Sequence, residues 1–230
     1  MRLIICLVLN LLFASCSQTK EPIQRLTEYE YPLDSLDHGK IFVFKRNHPE
    51  DYYFVEQRRV REGNADFIIQ ETYGTKQRIS AEKFRITEDG QELVEAFLYH
   101  YPDSLSNTFT KDKAEIVENR NMEDGKQFRG TYSELRVSSW AVQGSSITKT
   151  SFSRTDKLAI GDNFIDVIVF GCTLETKASL KYLPFISSES IYTGENIYAR
   201  RLGLIKYWTQ KGTERLDWDL IEIRNIDQEK

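Results

Sequence analysis

Apolar and polar side chains alternate along successive segments of about six to eleven residues, each rich in Val, Ile, Phe, Tyr and Thr and each followed by turn-forming residues. Period-two alternation puts every second side chain on one dry face, which is what a half-buried strand requires and a helix cannot use. Ile41–Phe44, Tyr52–Val60, Phe67–Tyr73, Arg78–Ile86 and Leu93–Tyr101 read as about five strands. Asn47–Glu50, Gly63–Asn64, Gly74–Thr75 and Asp89–Gly90 supply the reversals between them. Pro102–Lys113 turns polar and loses the alternation, so it reads as a longer, solvated loop.

The second half resumes the pattern with Ala114–Asn119, Thr131–Trp140, Ser145–Arg154 and Phe164–Thr176. Asp124–Gly125, Gly144 and Gly161–Asp162 punctuate it, the last pair beside a short apolar turn, Leu158–Ile160. Near the end, Leu216, Trp218 and Leu220 alternate with Asp217 and Asp219, whereas Ile221 and Ile223 fall out of phase. A β-bulge near Leu220 or Ile221 would return the following residues to the core side, because a one-residue slip flips every later side chain. Amphipathic helical runs are scarce, so a sheet of ten or more strands, which must bury its dry face by curling on itself or packing against another layer, has few helices to cover it and is expected to curl. The expected fold is all-β: a large antiparallel meander forming a strongly curved sheet, half-barrel or β-clam, with few helices and a concave face that is either a cavity or a packed core.

The chain opens with Met1-Arg2 and then an apolar stretch, Leu3–Phe13, interrupted only by Asn10. At about 1.5 Å per residue, such a helix is too short to cross a hydrocarbon core of about 30 Å, and it has the proportions of a signal peptide. Phe13-Ala14-Ser15-Cys16 resembles a bacterial lipobox, which implies a signal peptide over residues 1–15, removal of that segment, and acylation of Cys16, palmitate included. An ordinary signal peptide cut nearby would instead leave Cys16 incidental. Residues 16–24, polar and carrying Pro22, read as the lipidated cysteine and its tether, 25–226 as a single β domain and 227–230 as a frayed tail. Ser17, where an aspartate would favour inner-membrane retention, leans by resemblance towards an outer-membrane lipoprotein facing the periplasm.

A net charge of −4 offers nothing that would steer nucleic acid. Of the three cysteines, only Cys172 belongs to the mature β domain, so no intrachain disulfide is expected there. It ends the apolar run Phe164–Gly171, where a buried small hydrophobe is the ordinary role and a nucleophile the rarer one.

The stretch Ile197-Tyr198-Ala199-Arg200-Arg201-Leu202-Gly203-Leu204-Ile205-Lys206-Tyr207 resembles the "YYAKGVGLVKY" segment of β-rich bacterial (Bacteroidetes-like) envelope lipoproteins. Gly161–Val169 is similar to the "G-x-F-x-DVIxV" strand that often precedes it. Arg201-Leu202 stand where the pattern has Gly-Val, which removes the glycine expected at a tight turn there. The resemblance implies an envelope protein, in some members with a clam-like sheet similar to the lipoprotein carriers of the Lol system, and it carries over no catalytic residue.

Candidate chemistry is sparse. His38, His48 and His100 show no metal-ligand spacing, and His48-Pro49-Glu50-Asp51 is explained by a proline-bearing turn. Neither a P-loop, a GxGxxG fingerprint nor a GxSxG elbow is present, and no cofactor is expected. Asp217, Asp219 and Glu222 could serve a carboxylate hydrolase only if two acids converged in a pocket, whereas alternation makes Asp217 and Asp219 solvent-side charges. The cluster Tyr52-Tyr53-Phe54 with Tyr99 and Tyr101 could line a ligand groove, with Tyr52, Phe54, Tyr99 and Tyr101 as the candidate residues, against the plainer role of filling half-buried strand positions. The expected function is therefore non-enzymatic: a membrane-anchored lipoprotein binding an apolar ligand or another lipoprotein's anchor. Its rival is an assembly partner of another envelope protein.

Overall fold

The structure, a computed structural model, describes residues 26–47, 49–75, 77–87, 90–101, 108–124, 127–139, 142–160 and 163–226. The signal segment, Cys16 with its tether, His48 and the tail 227–230 lie outside the described residues. Two short 3-10 turns, Leu26–Tyr29 and Leu33–Leu36, lead into twelve strands. The first half gives β1 (Lys40–Asn47), β2 (Glu50–Glu62), β3 (Ala65–Tyr73), β4 (Arg78–Thr87) and β5 (Gly90–His100). The second gives β6 (Thr110–Asp124), β7 (Gln127–Ser138), β8 (Val142–Ile160), β9 (Asn163–Leu180), β10 (Leu183–Ala199), β11 (Gly203–Lys211) and β12 (Glu214–Asn225).

Each strand pairs antiparallel with its neighbours in the chain, and β12 pairs back onto β1, so the meander closes into a twelve-stranded barrel. Closure goes beyond the half-barrel or β-clam that alternation suggests. It follows from the chain ends: β1 and β12 are the only strands with a free edge in an open meander, and pairing Lys40 with Asn225 through Lys45 with Asp219 removes both edges. Three local expectations are also corrected. Leu158–Ile160 lies within β8 and pairs with Asn163–Ile165, so it is not a turn, and Gly144 lies within that strand as well. β6 begins at Thr110, which shortens the connection after β5.

The bulge on the last strand stands where the phase change places it. Val43 pairs with Glu222 and Phe44 with Leu220, so Ile221 is the extra residue. Ile221 is 52% exposed, whereas Leu220 and Ile223 both pack on the cluster around Phe42 and Phe44. One inserted residue thus keeps both stretches of β12 turned to the core.

An eight-stranded barrel is about as wide as its own side chains can fill, and a wider one needs a plug or keeps a cavity. Here the segment before β1 enters one end. Leu36 is 1% exposed and joins Phe42, Phe44, Val55 and Ile68, a burial worth about 1.5–3 kcal/mol. Tyr31 meets Phe42 edge-on at 5.1 Å. Arg59, on β2, reaches Asp34 at 3.2 Å and Asp37 at 3.6 Å from this segment and Asp66 of β3 at 2.5 Å, tying the plug to the wall. Across the barrel, Ile168 and Phe170 of β9 pack with Tyr29, Phe152 and Tyr198. Val167–Phe170 are all buried, so this stretch of β9 is apolar on both faces.

The segment Ile197–Tyr207 forms the end of β10, a tight turn and the start of β11. Leu202 donates its N–H to the Ala199 carbonyl at 3.1 Å, and Arg201 holds φ at 61°. The turn is therefore made although an arginine occupies the glycine position.

Candidate functional site

Strand alternation decides what the interior contains. Phe42 and Phe44 of β1 sit opposite Val55 and Tyr53 of β2, and that register carries Gln57 inward as well. Ile68 and Gln70 do the same on β3, and Leu204 and Tyr207 on β11, where Ile205 is the extra residue of a bulge against β10. These side chains, with Glu30, Tyr31 and Leu36 of the plug, surround a cavity of about 430 Å³.

One part of its wall is aromatic. Tyr207 stacks on Trp218 at 5.9 Å and 11°, Tyr53 packs against both rings, and Phe44 meets Tyr207 at 5.8 Å. Burial pushes the Tyr207 hydroxyl far above the ordinary tyrosine range and raises Tyr53, where the hydrogen bond with Thr72 opposes the effect.

The other part is built of amides and carboxyls. Gln57 Nε2 donates to Gln70 Oε1 at 2.7 Å, and Gln70 Nε2 donates to Glu82 Oε2 at 2.8 Å, a chain running across β2, β3 and β4. Burial raises the Glu82 pKa, opposed by the Gln70 bond. Glu30, in the cavity wall, is raised in the same way by burial, opposed by its hydrogen bond with Gln91 of β5. Tyr198, pushed up to about 12 by burial with the charges of Cys172 and Glu30 adding, lies nearby with Asn196.

A second cavity, of about 460 Å³, is lined by Leu98, Leu135, Val137, Val142 and Ala178. His100 and Asp112 also line it, with Nε2 3.3 Å from Oδ2. Among the described residues no group of three or more His, Cys, Asp or Glu is arranged to hold a metal ion.

Tyr52, Phe54, Tyr99 and Tyr101 are not among the residues lining either cavity. Phe44 points inward and pairs with Tyr53, so Tyr52 and Phe54 point outward, stacked on each other at 6.5 Å. Phe54 pairs with Tyr73 of β3, and Arg78 of β4 donates to the Tyr73 hydroxyl at 3.0 Å and the Tyr99 hydroxyl at 3.2 Å. The Tyr101 hydroxyl accepts the Arg78 backbone N–H at 3.2 Å. The four aromatics therefore belong to one outward strip, linked through Tyr73 and Arg78. Their neighbour Tyr53, one residue along the strand, is the one that enters the cavity.

Glu30, Gln57, Gln70, Gln91, Asn196 and Tyr198 were not singled out from the sequence. Gln57 and Gln70 did carry a signal: they stand in phase with Val55 and Ile68, where alternation expects an apolar side chain. Asp217 and Asp219 face outward and are paired, with Arg215 at 2.7 Å and Lys206 at 2.9 Å. Glu222 likewise meets Arg224 at 2.7 Å. Burial raises the Cys172 pKa, which disfavours the thiolate a nucleophile needs.

No protein-family model matches the chain, and no curated protein matches it. Among solved structures, a candidate lipoprotein of Parabacteroides distasonis ATCC 8503 is similar with a TM-score of 0.47 and 12% identity, over 85% of this chain and 98% of that one. A candidate exported protein of Bacteroides fragilis NCTC 9343, with a YmcC-like fold, gives 0.44 and 9%, over 80% and 95%.

Proposed function

We propose that this chain is a non-enzymatic lipoprotein of the bacterial envelope, anchored through Cys16 to the outer membrane and facing the periplasm, whose barrel interior binds an apolar ligand. An acyl chain or another lipoprotein's anchor has the right chemistry. The observation that carries the reading is the cavity of about 430 Å³ behind the plug, which falls within the about 300–1,000 Å³ of ordinary ligand pockets. Its aromatic wall offers a chain apolar contact. The address rests on the sequence from Met1 to Cys16, since a multiply acylated cysteine holds a protein at a bilayer where a single chain binds only marginally.

The test has two parts. Wild-type protein should take up radiolabelled palmitate and sediment with membrane, and the Cys16→Ser variant should do neither. The unacylated Cys16→Ser chain, purified in detergent-free buffer, should carry lipid detectable by native mass spectrometry or take up a fluorescent fatty acid. A lipid-free protein that takes up no apolar probe ends the binding reading.

One observation favours the assembly-partner reading as well. The hairpin joining β9 to β10 exposes Tyr182 at 76% and Phe185 at 79%, with Leu183 and Ile186 beside them. Apolar side chains gathered at a loop tip commonly mark an interaction site. Photocrosslinking in cells from position 182 separates the readings: one reproducible envelope protein supports docking, and diffuse or absent products remove it.

A further inference from the structure

Among the described residues, the wall of the cavity behind the plug contains no Lys, Arg or His, and the formally charged side chain in it is Glu30. The partner that Glu30 has in the protein is an amide, Gln91. Glu82, one hydrogen bond behind the wall residue Gln70, also receives an amide donor, and among the described residues no side-chain cation bonds it. Inward-facing cations do exist on neighbouring stretches, outside the lining: Lys40, opposite Gln57, donates to the Asn225 side-chain oxygen, and two arginines are also engaged. Arg46 lies over Trp218 at 5.1 Å and pairs with Asp51 at 3.3 Å, and Arg59 is taken up by Asp34, Asp37 and Asp66. Thus the cavity wall presents acceptor oxygens and aromatic faces, and no cation stands among the described residues that line it. A carboxyl taken from water without a counter-ion is costly to ionise, and an ammonium brought by a ligand removes that cost. Aromatic faces favour the same guest, since ring quadrupoles attract cations.

We propose that the cavity takes an amine-bearing amphiphile, with Glu30 as the counter-ion of its ammonium head and the wall of Phe44, Tyr53 and Tyr207 against its chain. The proposal rests on the apolar-ligand reading above and adds the sign of the head group. Gln91 positions the Glu30 carboxyl, and the Asn196 and Tyr198 oxygens offer further acceptors for the ammonium hydrogens. A fatty-acid carboxylate in the same place would set two like charges together with no cation between them.

Isothermal titration of the full chain carrying Cys16→Ser, at pH 7, with dodecylamine and with laurate decides the matter. Dodecylamine is expected to bind at least tenfold more tightly than laurate. Glu30→Gln, which keeps the shape of the side chain, should erase most of that preference while leaving laurate binding unchanged or stronger, with the circular dichroism spectrum intact. Laurate binding as tightly as the amine, or a preference that survives Glu30→Gln, overturns the ammonium assignment and leaves the apolar-ligand function standing. Binding of neither probe overturns both.

Discussion

Arg154 of β8 reaches across β9 to Glu195 of β10 and holds it with two hydrogen bonds, of 2.6 Å and 3.3 Å. Gly171, the β9 residue opposite Glu195, has no side chain to stand in the way. Glu195 also accepts from Trp208 Nε1 at 3.2 Å, so one carboxylate ties together three strands that are not all neighbours. Paired guanidinium-carboxylate bonds exceed an ordinary surface ion pair, but Arg154 is 43% exposed and solvent screens the charge. A double-mutant cycle of Arg154→Ala and Glu195→Ala, read by urea unfolding, should give a coupling of about 1 kcal/mol. A coupling near zero would mean that the pair contributes nothing beyond its separate contacts.

Gly194, the next residue back along β10, allows the backbone of β11 to come close. A Cβ there would lie 1.9 Å from the Trp208 carbonyl oxygen, which cannot rotate away as a side chain could. Gly194→Ala should therefore cost roughly 2–4 kcal/mol, the range of a forced backbone displacement in a packed sheet. The exposed neighbour Thr193 changed to Ala should cost no more than about 1 kcal/mol, and equal losses at the two positions would refute the close-approach argument.

Glu82 gives the barrel a dependence on pH whose sign can be worked out. Burial raises its pKa in the folded chain above the ordinary value of 4.5, so the folded state prefers the protonated form. The stability associated with that preference is fully present below the ordinary value and is lost as pH rises through the raised one. Glu82→Gln removes the ionisation while keeping an acceptor for Gln70 Nε2. The variant should melt at a higher temperature than the parent at pH 8 and show no advantage at pH 4. A lower melting temperature at pH 8 would mean that the ionised carboxylate is favoured inside the barrel.

The strands were legible in the sequence because each needs only its own alternation, and even the insertion at Ile221 showed as a phase change between Leu220 and Ile223. Closure was not legible, since the pairing of Lys40–Lys45 with Asp219–Asn225 joins opposite ends of the chain and leaves no local mark. Which ring of the aromatic cluster faces the cavity was not legible for a related reason. Tyr52, Tyr53 and Phe54 are consecutive and alike in chemistry, so only their phase relative to Phe42 and Phe44 tells which ring turns inward. Of the cavity's amides and carboxyls, Gln57 and Gln70 show only as polar residues in phase with Val55 and Ile68, and their link to Glu82 emerges once the strands are registered against one another.

Arg201 occupies the left-handed region, at φ 61°, in the turn between β10 and β11. A side chain with a Cβ pays about 1–2 kcal/mol for that conformation, whereas glycine adopts it freely but costs about 0.5–1 kcal/mol in chain entropy. The Arg201 N–H donates to the Glu28 carbonyl at 3.1 Å, a backbone bond that any residue other than proline can keep. Arg201→Gly should therefore stabilise the barrel by about 0.5–1 kcal/mol in urea unfolding, while Arg200→Gly, which loses the 3.0 Å ion pair with Glu28, should not. A loss of stability in Arg201→Gly would mean that the arginine side chain stabilises the turn by more than its backbone conformation costs.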